Sequence, residues 1–220
     1  VNANAAAKND AVLIGHSMGG IISRLLVSDA DVTKKALSMM SNRQLSKYKK
    51  VPIVAQRMQI KDIPNFSRAI FISAPHHGTA YADLWFTRAA RKIIKLPGAF
   101  LTAVGDTLQS QDLDFSDLAK QIDQGLIQNG PSDLSHKSKF MATTSDIMPR
   151  KGLLFHSIMG NNTHSTVPEK TSDGIVPYKS SHINGAISEK IIQGGHSIQE
   201  KPQAVFELRR ILRSHLGIDN

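Results

Sequence analysis

The chain has 220 residues, 40% of them apolar and 20% charged, a globular composition that suits one sizeable domain. It has no cysteine, which excludes disulfides, thiolate metal sites and cysteine nucleophiles. No apolar run approaches the roughly 18 residues needed to cross a bilayer, and most of the +9 formal charge comes from one stretch.

The first short apolar run, residues 11–14, reads as a strand. It is apolar on successive residues, as in a parallel sheet covered on both faces. Gly15-His16-Ser17-Met18-Gly19-Gly20 follows, and then Ile21, Ile22, Leu25 and Leu26 fall on one predicted helix face. This is G-x-S-x-G between a strand and a helix, the setting of a nucleophile elbow. The turn brings the two backbones so close that only glycine is expected at Gly15 and Gly19. The serine is held in a strained conformation with its hydroxyl exposed. The helix N-terminus beside it offers Met18 N–H as an oxyanion donor.

Two connections are too long for plain crossovers. Residues 30–66 form the first. Within it, residues 32–61 carry eight basic side chains (Lys34, Lys35, Arg43, Lys47, Lys49, Lys50, Arg57, Lys61) and no acidic one. This is either a solvated loop or a peripheral contact for an anionic membrane through residues 34–61. Its only aromatic is Tyr48, which argues against nucleic acid, where bases stack on aromatic platforms. A second strand is predicted at 69–73, followed by Ala74-Pro75-His76-His77-Gly78-Thr79 at the same rim of the sheet. His76 and His77 either line the pocket or sit in a simple turn. No Asp/Glu cluster with ligand spacing accompanies them, so no metal site is expected.

The second long connection, residues 81–152, reads as a lid or cap insertion. Leu84, Trp85, Phe86, Phe100 and Leu101 are its apolar candidates for contact with an acyl chain, or for packing on the sheet. An amphipathic helix is predicted at 88–96, before Pro97-Gly98. A third strand is predicted at 153–158. Beyond it, Ser172-Asp173-Gly174 supplies an aspartate in a turn; Asp146 and Glu169 are the alternative acids. The last strand, 190–193, runs into Gly194-Gly195-His196-Ser197, where two glycines free a loop to curl over the site. In a final helix, Val205, Leu208, Leu212 and Leu216 share one face, and His215 is a surface or packing residue.

A serine hydroxyl needs a base, and in this topology the order is serine, acid, histidine. Ser17 is therefore the expected nucleophile, Asp173 the acid and His196 the base. His16, inside the elbow, cannot serve as that base. His16, His76, His77, Trp85 and Phe86 are the expected substrate-binding residues. No cofactor is required.

The motif Gly-His-Ser-Met-Gly-Gly-Ile-Ile-Ser-Arg at 15–24 resembles that of bacterial lipase/esterase-type α/β-hydrolases. So do Ile-Ser-Ala-Pro-His-His-Gly-Thr at 72–79, Ser-Asp-Gly-Ile-Val-Pro-Tyr at 172–178 and Gly-Gly-His-Ser at 194–197. The nearest likeness is to the GPI-inositol-deacylase-like serine esterases. It implies an α/β-hydrolase fold: the C-terminal part of a mainly parallel sheet, with the insertion at 81–152, in one catalytic domain over 1–220. It implies hydrolysis of an ester or lipid substrate, and an exported or membrane-associated bacterial protein. An acyltransferase or phospholipase uses the same triad. A silent hydrolase fold that binds lipid or protein through the basic stretch is the remaining alternative. The family builds further strands and a second oxyanion donor upstream of its elbow. An upstream part of the same protein is therefore expected, and the 220-residue chain alone is expected to be weakly active.

Overall fold

A computed structural model describes residues 8, 10–38, 59–82 and 133–218. The described elements are β1 (Ala11–His16), α1 (Met18–Leu26), β2 (Ala30–Asp31), α2 (Thr33–Ser38), β3 (Gln59–Ile60), β4 (Phe66–Ile72), α3 (Lys139–Thr144), β5 (Leu154–Asn161), α4 (Tyr178–Ser181), β6 (Ser188–Gln193) and α5 (Pro202–His215). The described strands β1, β4, β5 and β6 form one parallel sheet in that spatial order, and β2 pairs with β3 antiparallel.

Alternation along β4 explains why the sheet is covered on both sides. Ala69 and Phe71 join Val27, Ala74, Phe155 and Ile183 in one cluster. Ile70 and Ile72 join Ile158, Ile192, Ile198, Ala204 and Ile211 in another. Successive side chains of a strand point to opposite faces, so one apolar run feeds two cores. Ile70, Ile158 and Ile211 are each 0% exposed, and each contributes about 1.5–3 kcal/mol by that burial.

Each predicted strand matches an observed one; 11–14 and 190–193 lie wholly inside, whereas Ser73 falls just past β4 and Leu153 just ahead of β5. β4 starts at Phe66 and β6 at Ser188, ahead of their apolar runs. Two of the added residues, Arg68 and Ser188, are polar because they join a network with His156 at the N-terminal edge of the sheet. Arg68 Nη1 donates to His156 Nε2 at 2.6 Å. The guanidinium is donor-only, so His156 is neutral there and its Nδ1–H donates to Ser188 Oγ at 2.7 Å. Glu207 and Arg210 of α5 close the network onto Ser188.

That pairing sets a pH dependence. Burial, reinforced by Arg68, pushes His156 down to about 4. Burial and then Arg24 hold His76 well below its ordinary range. An unfolded chain takes up these protons near pH 6.5, and the folded chain does not. Stability is therefore fully present above about pH 6.5 and is lost as pH falls toward 4. The urea midpoint should drop across that window, and His156→Gln should flatten the drop. A midpoint that stays constant from pH 7 to pH 4.5 would contradict this assignment.

Two helix faces differ from expectation. In α1, Ile21 is buried, but Ile22 is 49% and Leu26 36% exposed. The inward positions belong to Gly20, Ile21, Ser23 and Arg24. In α5 the inward side chains are Ala204, Glu207 and Ile211, while Val205 and Leu216 face solvent. Glu207 can occupy an inward position because Arg210 neutralises it. His215 meets Arg68 Nε and the Asp10 carbonyl, so it packs.

Of the insertion at 81–152, residues 81–82 and 133–152 are described. Ala82, Leu134 and Met141 pack with Ile21 of α1. Ser138 caps α3 by accepting from Met141 N–H at 3.0 Å. The predicted helix at 88–96 and the apolar candidates Leu84, Trp85, Phe86, Phe100 and Leu101 lie outside the described residues. So do Arg43, Lys47, Lys49, Lys50 and Arg57 of the basic stretch. Lys35 there pairs with Asp146 at 2.7 Å. Both side chains are more than a third exposed, so the pair adds little stability. No described helix is long and apolar enough to cross a membrane.

Candidate active site

The site is built at the C-terminal ends of the parallel strands. β1 ends at His16 and α1 begins at Met18, which leaves Ser17 alone to make the turn. Ser17 has φ 55° and ψ −126°. A non-glycine residue there bears about 1–3 kcal/mol of strain, so its surroundings must impose the conformation. Ser17 N–H donates to Ile72 O at 2.9 Å, and Gly20 N–H donates to Ser17 O at 2.9 Å. These bonds hold the serine between β4 and the first turn of α1. At that first turn the Met18 N–H has no intrahelical acceptor.

Glycine is required at only part of the expected set. A Cβ on Gly15 would lie 2.4 Å from both Gly19 O and Ser23 Oγ. A Cβ on Gly20 would lie 2.4 Å from the Ala74 Cβ. A Cβ on Gly19 would meet nothing within 4 Å. The expectation for Gly19 is corrected: the helix leaves the strand in a direction that brings Gly20, not Gly19, against β4's exit. Gly19→Ala should keep stability within about 0.5 kcal/mol, whereas Gly15→Ala should cost about 1–3 kcal/mol or more by overpacking. Denaturant titration of the two variants separates these outcomes.

The structure brings the other two side chains to Ser17. His196 Nδ1 is 2.8 Å from Asp173 Oδ2, and His196 Nε2 is 2.8 Å from Ser17 Oγ. The remaining Asp173 oxygen, Oδ1, accepts from Ile175 N–H at 2.9 Å and Val176 N–H at 2.6 Å. Burial alone would raise the Asp173 pKa. The hydrogen bonds from His196 and Val176 outweigh it and hold the carboxyl below its ordinary value. An ionised carboxylate only accepts, so His196 carries its proton on Nδ1 and turns the Nε2 lone pair to the serine hydroxyl. The expected alternative acids lie elsewhere: Asp146 pairs with Lys35, and Glu169 sits in a 3₁₀ turn at Pro168–Lys170.

An elbow serine after β1, an acid after β5 and a histidine after β6 stand on one parallel sheet with helices on both faces. The fold is that of an α/β-hydrolase.

No family model matches the chain, and no curated protein sequence matches it. Several solved structures are similar to it over most of its length. The mature lipase BlEst2 of Bacillus licheniformis is similar at 16% identity, over 93% of this chain and 65% of that one, with a TM-score of 0.45. The Staphylococcus hyicus lipase is similar at 13% identity, over 96% of this chain and 71% of that one, with a TM-score of 0.48. The RedJ thioesterase of the prodiginine pathway in Streptomyces coelicolor is similar at 13% identity, over 93% and 63%, with a TM-score of 0.29. This chain thus spans 65% of the first of these proteins. The chemistry has to be read from this chain's own side chains.

The expected substrate-binding residues divide. His16 turns toward His196: its Nε2 donates to the His196 carbonyl at 2.9 Å. His76 is 0% exposed, with its ring edge-on to Phe71, so it is a core residue and not part of a pocket wall. His77 is exposed and meets the His182 backbone. The segment holding these two histidines braces the acid loop instead. Thr79 Oγ1 donates to Ile175 O at 2.5 Å, Ser180 Oγ to Gly78 O at 2.5 Å, and Ser181 Oγ to Ala74 O at 3.0 Å. These bonds fix the segment, and with it the direction of His76, toward the core. Trp85 and Phe86 lie outside the described residues.

Two supports are absent from the sequence reading. Arg24 is fully buried and donates to the carbonyls of Ile147, Ser145 and His76. It cross-links α1 to both flanking loops. Burial lowers its pKa to about 10, so it stays charged at neutral pH. Gly160, at the end of β5, is the other. A Cβ there would be 2.7 Å from Asp173 Cβ, 2.8 Å from Gly195 O and 3.0 Å from Gly194 O. The acid loop and the histidine loop close over this one missing side chain. A glycine inside a strand pattern is the signal that marks such an approach. Beside the site lies a cleft of about 500 Å³ lined by Ile175, Gly195, His196, Ser197, Glu200 and Lys201.

Proposed function

We propose that the chain is a serine carboxylic-ester hydrolase of the lipase/esterase type, acting through an acyl-enzyme on Ser17. The observation that carries this reading is the unbroken chain Asp173 Oδ2–His196–Ser17 Oγ, with both contacts at 2.8 Å. As His196 Nε2 takes the hydroxyl proton, Ser17 Oγ attacks the acyl carbonyl. Asp173 stabilises the imidazolium, and Met18 N–H donates to the oxyanion. Collapse breaks the ester C–O bond, and the leaving alcohol takes the proton back from His196. Water then repeats the sequence in reverse, releasing the acid and restoring Ser17.

An ester or lipid is the substrate class that accompanies this reading. Its test is turnover of p-nitrophenyl esters of graded acyl length by the intact protein and by Ser17→Ala. Nitrophenol release that depends on Ser17 is expected, whereas equal release by the two proteins would refute the proposal.

A further inference from the structure

We infer that His16 is a positioning residue for the base: its side chain anchors the backbone carbonyl of His196 and so sets where the His196 imidazole stands. This rests on reading Ser17, His196 and Asp173 as a working triad. His16 is the last residue of β1, one position before the elbow serine, so the paired strand fixes its backbone. Its Nε2 lies 2.9 Å from His196 O, and the two imidazole centroids are 5.0 Å apart at 46°. A carbonyl oxygen only accepts, so His16 holds its proton on Nε2.

The loop it grips needs such a hold. Gly194 and Gly195 precede His196 and give the chain wide conformational freedom. Gly194 N–H is tied to Asn161 O at 2.9 Å, and Glu200 N–H to Ser197 O at 3.2 Å. Between these points, Asp173 and Ser17 orient the ring of His196, while His16 holds its main chain. Proton transfer tolerates little displacement, and an error of about 1 Å costs about 10²-fold. The strand end that presents the nucleophile therefore also locates the base, which makes their separation a property of one rigid element.

Electrostatics support the same assignment. Burial lowers the His16 pKa, against the opposing pulls of the His196 carbonyl, Asp173 and Glu200. His16 is thus neutral when His196 becomes an imidazolium, and no second positive ring opposes the proton transfer.

The test compares His16→Phe, which keeps a ring but loses the donor, with His16→Gln, whose amide N–H reaches a similar point. The readouts are kcat, KM, the rate at which a fluorophosphonate labels Ser17, and the melting temperature. His16→Phe should lower kcat and the labelling rate by about 10–100-fold with KM nearly constant. His16→Gln should restore most of the loss. A folded His16→Phe protein that is labelled at the parental rate would overturn the inference. If His16→Phe melts early, His16→Met replaces it, and equal labelling of His16→Met and His16→Gln is then the overturning result. Failure of the triad reading looks different: the parent itself would take no label at Ser17.

Discussion

Asp173→Asn should lower kcat by about 10⁴-fold while leaving the fold intact. The asparagine carbonyl oxygen can keep the two bonds that Asp173 Oδ1 now accepts from Ile175 and Val176 N–H. The loop therefore stays in place, and the amide NH₂ faces His196 Nδ1. Two donors cannot share that 2.8 Å contact, so the imidazole must move its proton to Nε2. It then donates toward Ser17 and can no longer accept the hydroxyl proton. Steady-state kinetics with matched circular dichroism tests this. A loss of less than about tenfold would mean that Asp173 does not orient the base.

Gly160→Ala is expected to have the next largest effect. Its methyl would press on Asp173 Cβ at 2.7 Å and on the Gly194 and Gly195 carbonyls at 3.0 and 2.8 Å. Two of those contacts are backbone and cannot rotate away. The acid and histidine loops must part, and both lie directly on the Asp173–His196 contact. Overpacking of this kind costs about 1–3 kcal/mol. A displacement of about 1 Å between acid and base costs about 10²-fold in rate. Activity should therefore fall further than the stability change alone explains. Denaturant midpoint and kcat measured on one preparation separate the two losses. A Gly160→Ala protein with parental kcat would show that the loops meet differently.

The residues that meet at the site were legible because chemistry restricts their types and glycines punctuate their segments. Ser17 follows an apolar run and precedes a helix, Asp173 sits in an Asp-Gly turn, and His196 follows two glycines. The sheet was legible for a related reason. A strand buried on both faces must be apolar at consecutive positions, as residues 69–72 are.

What was not legible depends on which segments meet. In α5, Val205, Leu208, Leu212 and Leu216 fit a helical stripe as well as Ala204, Leu208 and Ile211 do. Spacing cannot tell that Glu207 turns inward with Arg210 as its partner. Gly19 and Gly20 are adjacent glycines, and only the position of Ala74 shows which one is confined. Gly160 is confined by residues 13 and more positions away, and Arg24 Nη1 is met by the distant carbonyls of Ser145 and Ile147. His76 and His77 read as a pair of equals. One lies in the core and the other at the surface because neighbouring residues of a braced loop point in opposite directions.

The account stands on Ser17 being a hydroxyl that His196 activates. The most direct measurement is the intact mass and peptide map of the full protein after treatment with a fluorophosphonate at neutral pH. One adduct on Ser17 is predicted, absent in Ser17→Ala and formed much more slowly in His196→Ala. No adduct, or an adduct on another residue, would contradict it.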